Sequence, residues 1–320
     1  MPDDSIDPRL SLLLSLDFPL CRVEFSDKPI VLLCGGKVII KAKPSDPDPP
    51  LESLRHALTI HTTNFEVFRP EEIDTWQADG IFKDLMTFEL ELASICSMVV
   101  IILESEGSLV ELGAFSQLTE LSNKIIAICP EKYINDDSFI RLGILRFISA
   151  TNAAHVKSYP WIPKQKDADF VISTEIVEDA TSDIEDELHK LPKSQVLKSN
   201  KNSHVMVLIC ELLRLFTALK ESEIAEYLEL CGAQVGRELL RGKLFLLEQF
   251  HLIRTQTYSD ALFYFKGDEQ FHKLRLTLKE DPKPIDLLRI EMLCLEYYKS
   301  NSKHRNRLRA IARADGGTRS

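Results

Sequence analysis

The sequence predicts an α/β protein with a parallel sheet of flavodoxin or Rossmann type, helices on both faces, followed by a mostly helical unit. Three observations predict it. Short continuous apolar runs alternate with helical segments through the first half, the order expected of parallel strands joined by crossover helices. The stretch 205–266 reads as three helices and then a hairpin. The charge also divides: residues 1–202 carry 20 basic and 33 acidic side chains, whereas residues 203–320 carry 19 basic and 16 acidic. Only the rear half is therefore charged to meet a polyanion.

A chain of 320 residues exceeds the usual size of one domain, so at least two are expected. Residues 1–27, with a helical pattern over Leu10–Leu16, read as an N-terminal cap. The front domain is expected over 28–162. Ile30–Cys34 is an unbroken apolar run closed by Gly35-Gly36, the signature of a strand buried on both faces. The four prolines within Lys41–Pro50 demand an exposed loop, and Leu51–Ile60 follows as a helix. Phe65–Phe68 is a second strand, stopped at Pro70. Phe82–Ser94 is a helix, Met98–Leu103 a third strand, Ser108–Ser122 a helix, and Lys124–Cys129 a fourth strand halted by Pro130. The pattern continues less clearly through Phe139–Phe147 and Ala154–Lys157.

Residues 163–202, acidic and then lysine-rich, read as a linker with room for one short helix. The rear domain, 203–320, reads as helices Val205–Leu219, Glu221–Leu230 and Val235–Phe250. Two short strands around Ser259-Asp260 follow, in winged helix-turn-helix order, and then a helix Ile285–Tyr298 and a basic tail. No apolar run is long enough to span a bilayer and no export signal opens the chain, so a cytoplasmic protein without a membrane partner is expected. Seven cysteines without a CxxC pair argue against disulfides and against a zinc site.

In a parallel sheet the ligand crevice lies at the carboxyl ends of the strands. Three segments converge there: Cys34-Gly35-Gly36, Arg69–Glu72 and Glu104–Glu111. A Gly-Gly pair lets backbone amides approach a phosphate or ribose, but serves equally well in a tight turn. Ser108 and Glu111 fit the S-x-x-E capping box that opens a helix. Against that reading, Gly113 is costly in a helix interior unless something packs on it, and Glu104, Glu106 and Glu111 repel one another, which raises carboxyl pKa values. Cys34 as a nucleophile lacks a histidine placed beside it.

The combination Leu33-Cys34-Gly35-Gly36, Glu104-Ser105-Glu106-Gly107-Ser108 and Glu111-Leu112-Gly113-Ala114-Phe115 resembles the nucleoside deoxyribosyltransferase-like effectors encoded beside retron reverse transcriptases. Leu54-Arg55-His56, Pro70-Glu71, and Ser138-Phe139-Ile140 with Gly143 and Arg146 echo it. The resemblance implies that Glu111 attacks the anomeric carbon of a nucleoside. A second acid is needed, and Glu71, Glu89 and Glu106 are the candidates, so the catalytic set is Glu111 with Glu106 and Glu89. The substrate-binding set is Cys34, Gly35, Gly36, Glu71, Gly107, Ser108 and Arg146, with Arg55 and His56 further candidates for a phosphate.

The related transferases carry aspartates ahead of the nucleophile where this chain has glutamate and serine, so hydrolysis is expected rather than base transfer. The implied substrate is a nucleotide or NAD, with no separate cofactor. The implied partners are the reverse transcriptase and its multicopy single-stranded DNA, which hold a toxic effector silent until phage attack; homo-oligomer formation is left open. Arg237, Arg241, Lys243 and Arg254 are the expected nucleic-acid contacts, aided by a tail with six cations and no acid from Lys299 to Arg313. Two other readings compete: a nucleotide-sensing regulator without catalysis, and an inert scaffold.

Overall fold

The computed structural model describes residues 7–39, 51, 53–73, 75, 80–162, 172–269, 272–280 and 285–316. The chain divides into two compact units, one of residues 27–76 and 84–191, the other of residues 1–26, 77–83 and 192–320.

In the first unit, β1 (Ile30–Cys34), β2 (Glu66–Phe68), β3 (Met98–Ile102), β4 (Ile125–Pro130) and β5 (Val156–Tyr159) form a sheet in the order β2-β1-β3-β4-β5. All four pairings are parallel. Helices α1 (Leu54–Ile60), α2 (Leu85–Ile95), α3 (Glu106–Ser116), α4 (Glu131–Asn135), α5 (Arg146–Thr151) and α6 (Thr174–His189) complete the unit, with a π-helical turn at Ile140–Leu145. Every residue of β3 and β4 is buried, which is why these strands lack polar alternation. From β1 the chain steps outward to β2 and then returns past β1 to β3. The carboxyl ends of β1 and β3 therefore flank the topological switch point, where such sheets bind ligands.

The expected linker is the main difference. Residues 163–171 lie outside the described residues, as does the proline-rich loop 41–50 apart from its neighbour Leu51. Residues 174–189, however, form α6, capped by Ser173, and its Ile176, Val177, Ala180 and Ile184 share one core with Leu33, Leu54, Val100 and Trp161. The acidic residues that suggest a linker cover only the outer face of an amphipathic helix. Asp183 on it accepts bonds from Lys157 (2.7 Å) and the Tyr159 hydroxyl of β5.

The second unit contains α7 (Asn202–Phe216), β6 (Ala218–Leu219), α8 (Glu221–Leu230), α9 (Arg237–Gln249), β7 (Ile253–Tyr258) and β8 (Ala261–Lys266). Its antiparallel sheet has the order β6-β8-β7. Helix, strand, helix, helix and hairpin in this order make the winged-helix arrangement, and the wing turns at Ser259, whose φ of 57° is left-handed. The expected basic tail continues from α10 (Leu287–Ser300) as a further helix, α11 (Arg305–Gly316). The N-terminal segment belongs to this unit as well. Its strand Arg22–Glu24 is the centre of a three-stranded sheet between Lys273–Arg275 and Ser194–Val196. No described helix is long and apolar enough to cross a membrane.

Candidate active site

At the end of β1, Gly35 has φ +154°, and a Cβ there would lie 3.1 Å from Ile102 Cβ and 3.3 Å from Arg55 Cβ. A Cβ on Gly36 would lie 2.8 Å from Glu104 Oε1. Both glycines are thus required by close neighbours, and the neighbour of Gly36 is a carboxylate from the end of β3. Glu104 Oε1 accepts the amides of Gly36 (3.1 Å) and Arg55 (3.0 Å), and Oε2 accepts the amide of Leu54 (2.9 Å). Burial raises the Glu104 pKa, opposed by those amide bonds. The glycine loop was expected to offer its amides to a ligand; the Gly36 amide is instead taken by an internal anion.

Arg55, a candidate for a phosphate by sequence, is only 3% exposed and is taken up by internal partners. Its Nε donates to Leu33 O (2.8 Å) and its Nη1 to Gly36 O (3.2 Å). Its fork also holds Glu71 at 2.7 and 2.6 Å. Burial acts to raise Glu71, but the bonds and charge of Arg55 outweigh it and lower its pKa. His56 is buried as well.

Helix α3 begins one turn before the expected Ser108–Glu111 box. Ser105 is the N-cap: its Oγ accepts the Ser108 amide (3.1 Å), and Ser108 Oγ accepts the Ser105 amide (3.2 Å). That shift frees Glu111 from any capping duty. It is half-buried on the second turn, and its Oε2 is buried without a hydrogen-bond partner among the described residues. Burial raises its pKa, with the charge of Arg55 opposing and that of Glu71 adding. Glu89, 6% exposed on α2, is pushed up to about 7 by burial first and then by the charges of Glu111 and Glu71. Burial, and then the charges of Glu111 and Glu89, push the thiol of buried Cys34 well above its ordinary value, so it is no thiolate nucleophile.

The structure therefore brings together Cys34, Arg55, Glu71, Glu89 and Glu111. The three glutamates expected to repel each other part company: Glu104 turns into the amides, Glu106 is exposed at the first position of α3, and Glu111 joins Glu89 instead. Gly107 is exposed beside Glu106; Ser108 is buried within the cap. Arg146 is exposed at the start of α5 and takes no part in the cluster. A Cβ on Gly113 would meet Ile144 Cδ1 of the π-helical turn at 3.7 Å, an ordinary contact, so the packing there does not require glycine. Sequence reasoning missed Glu104 and Arg55 as organisers of the crevice. The available signal was a carboxylate directly after a buried strand, facing a glycine pair. Among the described residues no group of three His, Cys, Asp or Glu is placed to hold a metal ion.

In the winged-helix unit, Arg237 and Arg241 are exposed and both reach Glu221 Oε1, at 3.3 and 3.1 Å. Lys243 contradicts its expected role: it is 1% exposed, and its Nζ donates to Asn202 Oδ1 at 3.0 Å. It falls on the buried side of α9 with Leu240 and Leu244. Arg254 donates to Lys266 O (3.3 Å) and Ala314 O (3.1 Å).

A family model described as STM3845 retron effector protein matches residues 51–255. Two relatives from Escherichia coli are similar in part. One, named "Retron Ec86 putative ribosyltransferase/DNA-binding protein", is 32% identical over 133 residues, 40% of each chain. Its counterpart of the same description from retron Ec73 is 34% identical over 71 residues, 22% of each chain. The matched part of this chain thus spans well under half the length of either relative.

Proposed function

The chain belongs to the STM3845 retron effector family, and from that premise we propose that it hydrolyses the N-glycosidic bond of a nucleotide or of NAD. The supporting observation is Glu111: a carboxyl at the switch point of the sheet, with one buried oxygen that nothing among the described residues satisfies, beside a second carboxyl pushed up to about 7. A buried oxygen without a partner costs about 1–3 kcal/mol, a cost that a bound ligand relieves by supplying the missing bond.

In the first step an oxygen of Glu111 attacks the anomeric carbon as the bond to the base nitrogen breaks; the base of a nucleotide leaves with the proton of Glu89, whereas the cationic nicotinamide of NAD becomes neutral on taking the electron pair and needs no proton. In the second, water attacks the same carbon and gives a proton to the Glu89 carboxylate. The bond to Glu111 breaks and a free sugar hydroxyl remains. Glu89 suits the acid role because burial and like charge push it up to about 7, so that a substantial fraction is still protonated near neutral pH, whereas Glu106 is exposed. Arg55, held by Leu33, Gly36 and Glu71, opposes the charge of the pair and keeps Glu111 ionisable.

We assign the winged-helix unit to nucleic-acid contact, with the retron reverse transcriptase and its DNA as the partners that hold the enzyme silent. The winged helix also favours a second reading, a nucleotide-sensing regulator without catalysis. Glu111→Gln separates the two. Mass spectrometry of cell metabolites after induction of the wild type is expected to show a free base and a ribosylated remnant, both absent with E111Q. Identical metabolite pools for the two proteins would overturn the enzymatic reading.

A further inference from the structure

The cations that the sequence places on a recognition helix are largely neutralised in the fold. Arg237 and Arg241 share Glu221, Lys243 is buried, and exposed Glu238 on the same helix pairs with Lys83 at 3.0 Å. The expected tail behaves in the opposite way.

Helix α11 is amphipathic. Arg307, Ala310, Ile311 and Ala314 are buried on one face at helical spacing. Arg305, Arg309 and Arg313 recur every fourth residue on the other, and all three are exposed. Among the described residues none of the three has an acidic partner. At 1.5 Å per residue the stripe places a cation roughly every 6 Å over about 12 Å.

The helix is firmly seated. Arg307 turns inward to hold both oxygens of Glu223 and lies 4.7 Å from the centre of the Tyr298 ring. Arg254 of the wing donates to Ala314 O at 3.1 Å, and Arg313 lies 4.8 Å from the Tyr258 ring on the same wing. A lipid surface would require large apolar side chains beside the cations. The exposed positions between Arg309 and Arg313 hold none, only Ala312.

We infer that the Arg305/Arg309/Arg313 stripe on α11, rather than α9, is the main contact of this unit with the phosphate backbone of a nucleic-acid duplex. The inference rests on the assignment of the winged-helix unit to nucleic acid. Such contacts position the protein without reading sequence, and they release counterions on binding.

The test is fluorescence anisotropy of the full chain with a labelled DNA hairpin of arbitrary sequence over a range of salt. Each lost phosphate contact removes about 0.9 from the slope of log affinity against log salt. The variant R305Q/R309Q/R313Q is expected to lose close to 3 from that slope and to bind roughly tenfold to a hundredfold more weakly near 0.15 M salt. The variant R237Q/R241Q is expected to change affinity by less than about threefold. R309Q alone removes one exposed side chain, so it keeps the result readable if the triple variant fails to fold; its slope is expected to fall by about 1.

A wild-type slope in the stripe variants, with the loss falling on R237Q/R241Q instead, overturns the inference but leaves the nucleic-acid assignment standing. No binding of the hairpin by the wild type, or binding confined to anionic phospholipid vesicles, overturns both.

Discussion

Replacing Glu89 with glutamine should move stability and turnover in opposite directions, and the structure sets the size of both effects. An ordinary glutamate titrates near 4.5, whereas Glu89 is pushed up to about 7 by burial and by the charges of Glu111 and Glu71. At about 1.36 kcal/mol per pH unit, holding it ionised inside the fold costs about 3 kcal/mol. The folded-state value is the raised one. The stability due to its protonated form is therefore complete below about 4.5, declines as pH rises toward 7 and is gone above it. Glutamine keeps the shape of the protonated carboxyl and cannot ionise. Glu89→Gln is thus expected to unfold several degrees above the wild type at pH 8, the difference shrinking toward zero near pH 5.

With a nucleotide as substrate the same variant should release base about 10²–10⁴-fold more slowly, having lost the proton it is proposed to deliver. Thermal unfolding at the two pH values, together with a base-release assay, reads both effects. A residue of purely structural importance would weaken the fold at pH 5 and pH 8 alike. That outcome, or unchanged base release, refutes the assignment of Glu89 as the acid. In the wild type, the rate should fall as pH rises through about 7, a limb that belongs to the coupled Glu89–Glu111 pair.

Gly36→Ala places a methyl 2.8 Å from Glu104 Oε1 and must push that carboxylate off the amides of Gly36, Leu54 and Arg55. A loss of about 1–3 kcal/mol in urea unfolding is expected, and a midpoint equal to the wild type refutes the role given to Glu104. Lys243→Ala withdraws a buried donor from Asn202 and should destabilise the chain by a similar amount of about 1–3 kcal/mol. It should leave the salt dependence of DNA binding unchanged, and a reduced slope would return Lys243 to the nucleic-acid surface.

Local pattern made much of the architecture legible. Helix α8 runs from Glu221 to Leu230 as its pattern requires, and the hairpin turns at the expected Ser259-Asp260 pair, with Ser259 at a left-handed φ of 57°. Strands β3 and β4 were visible because doubly buried strands leave no polar alternation to confuse them. Composition misled where it was read without periodicity. The acidic run 176–187 suggested a linker, although Ile176, Ala180 and Ile184 at helical spacing carried the contrary signal. The N-terminal strand could not be assigned to its unit, since its partners lie about 170 and 250 residues away along the chain.

For the candidate site, the sequence by itself determined which strand ends bear glycines and carboxylates, while Glu111 was named as a candidate through the family resemblance. The allocation of the carboxylates was decided by tertiary structure. Glu104 and Glu106 are two residues apart, yet one is drawn into the amides of Gly36, Leu54 and Arg55 while the other faces solvent. Glu89, 22 residues before Glu111, becomes its electrostatic partner only because the fold brings the two side chains near each other. The physical reason is that burial and charge proximity depend on which strands lie side by side. Parallel pairing sets β1 against β3, and chain segments far apart in sequence then share one crevice.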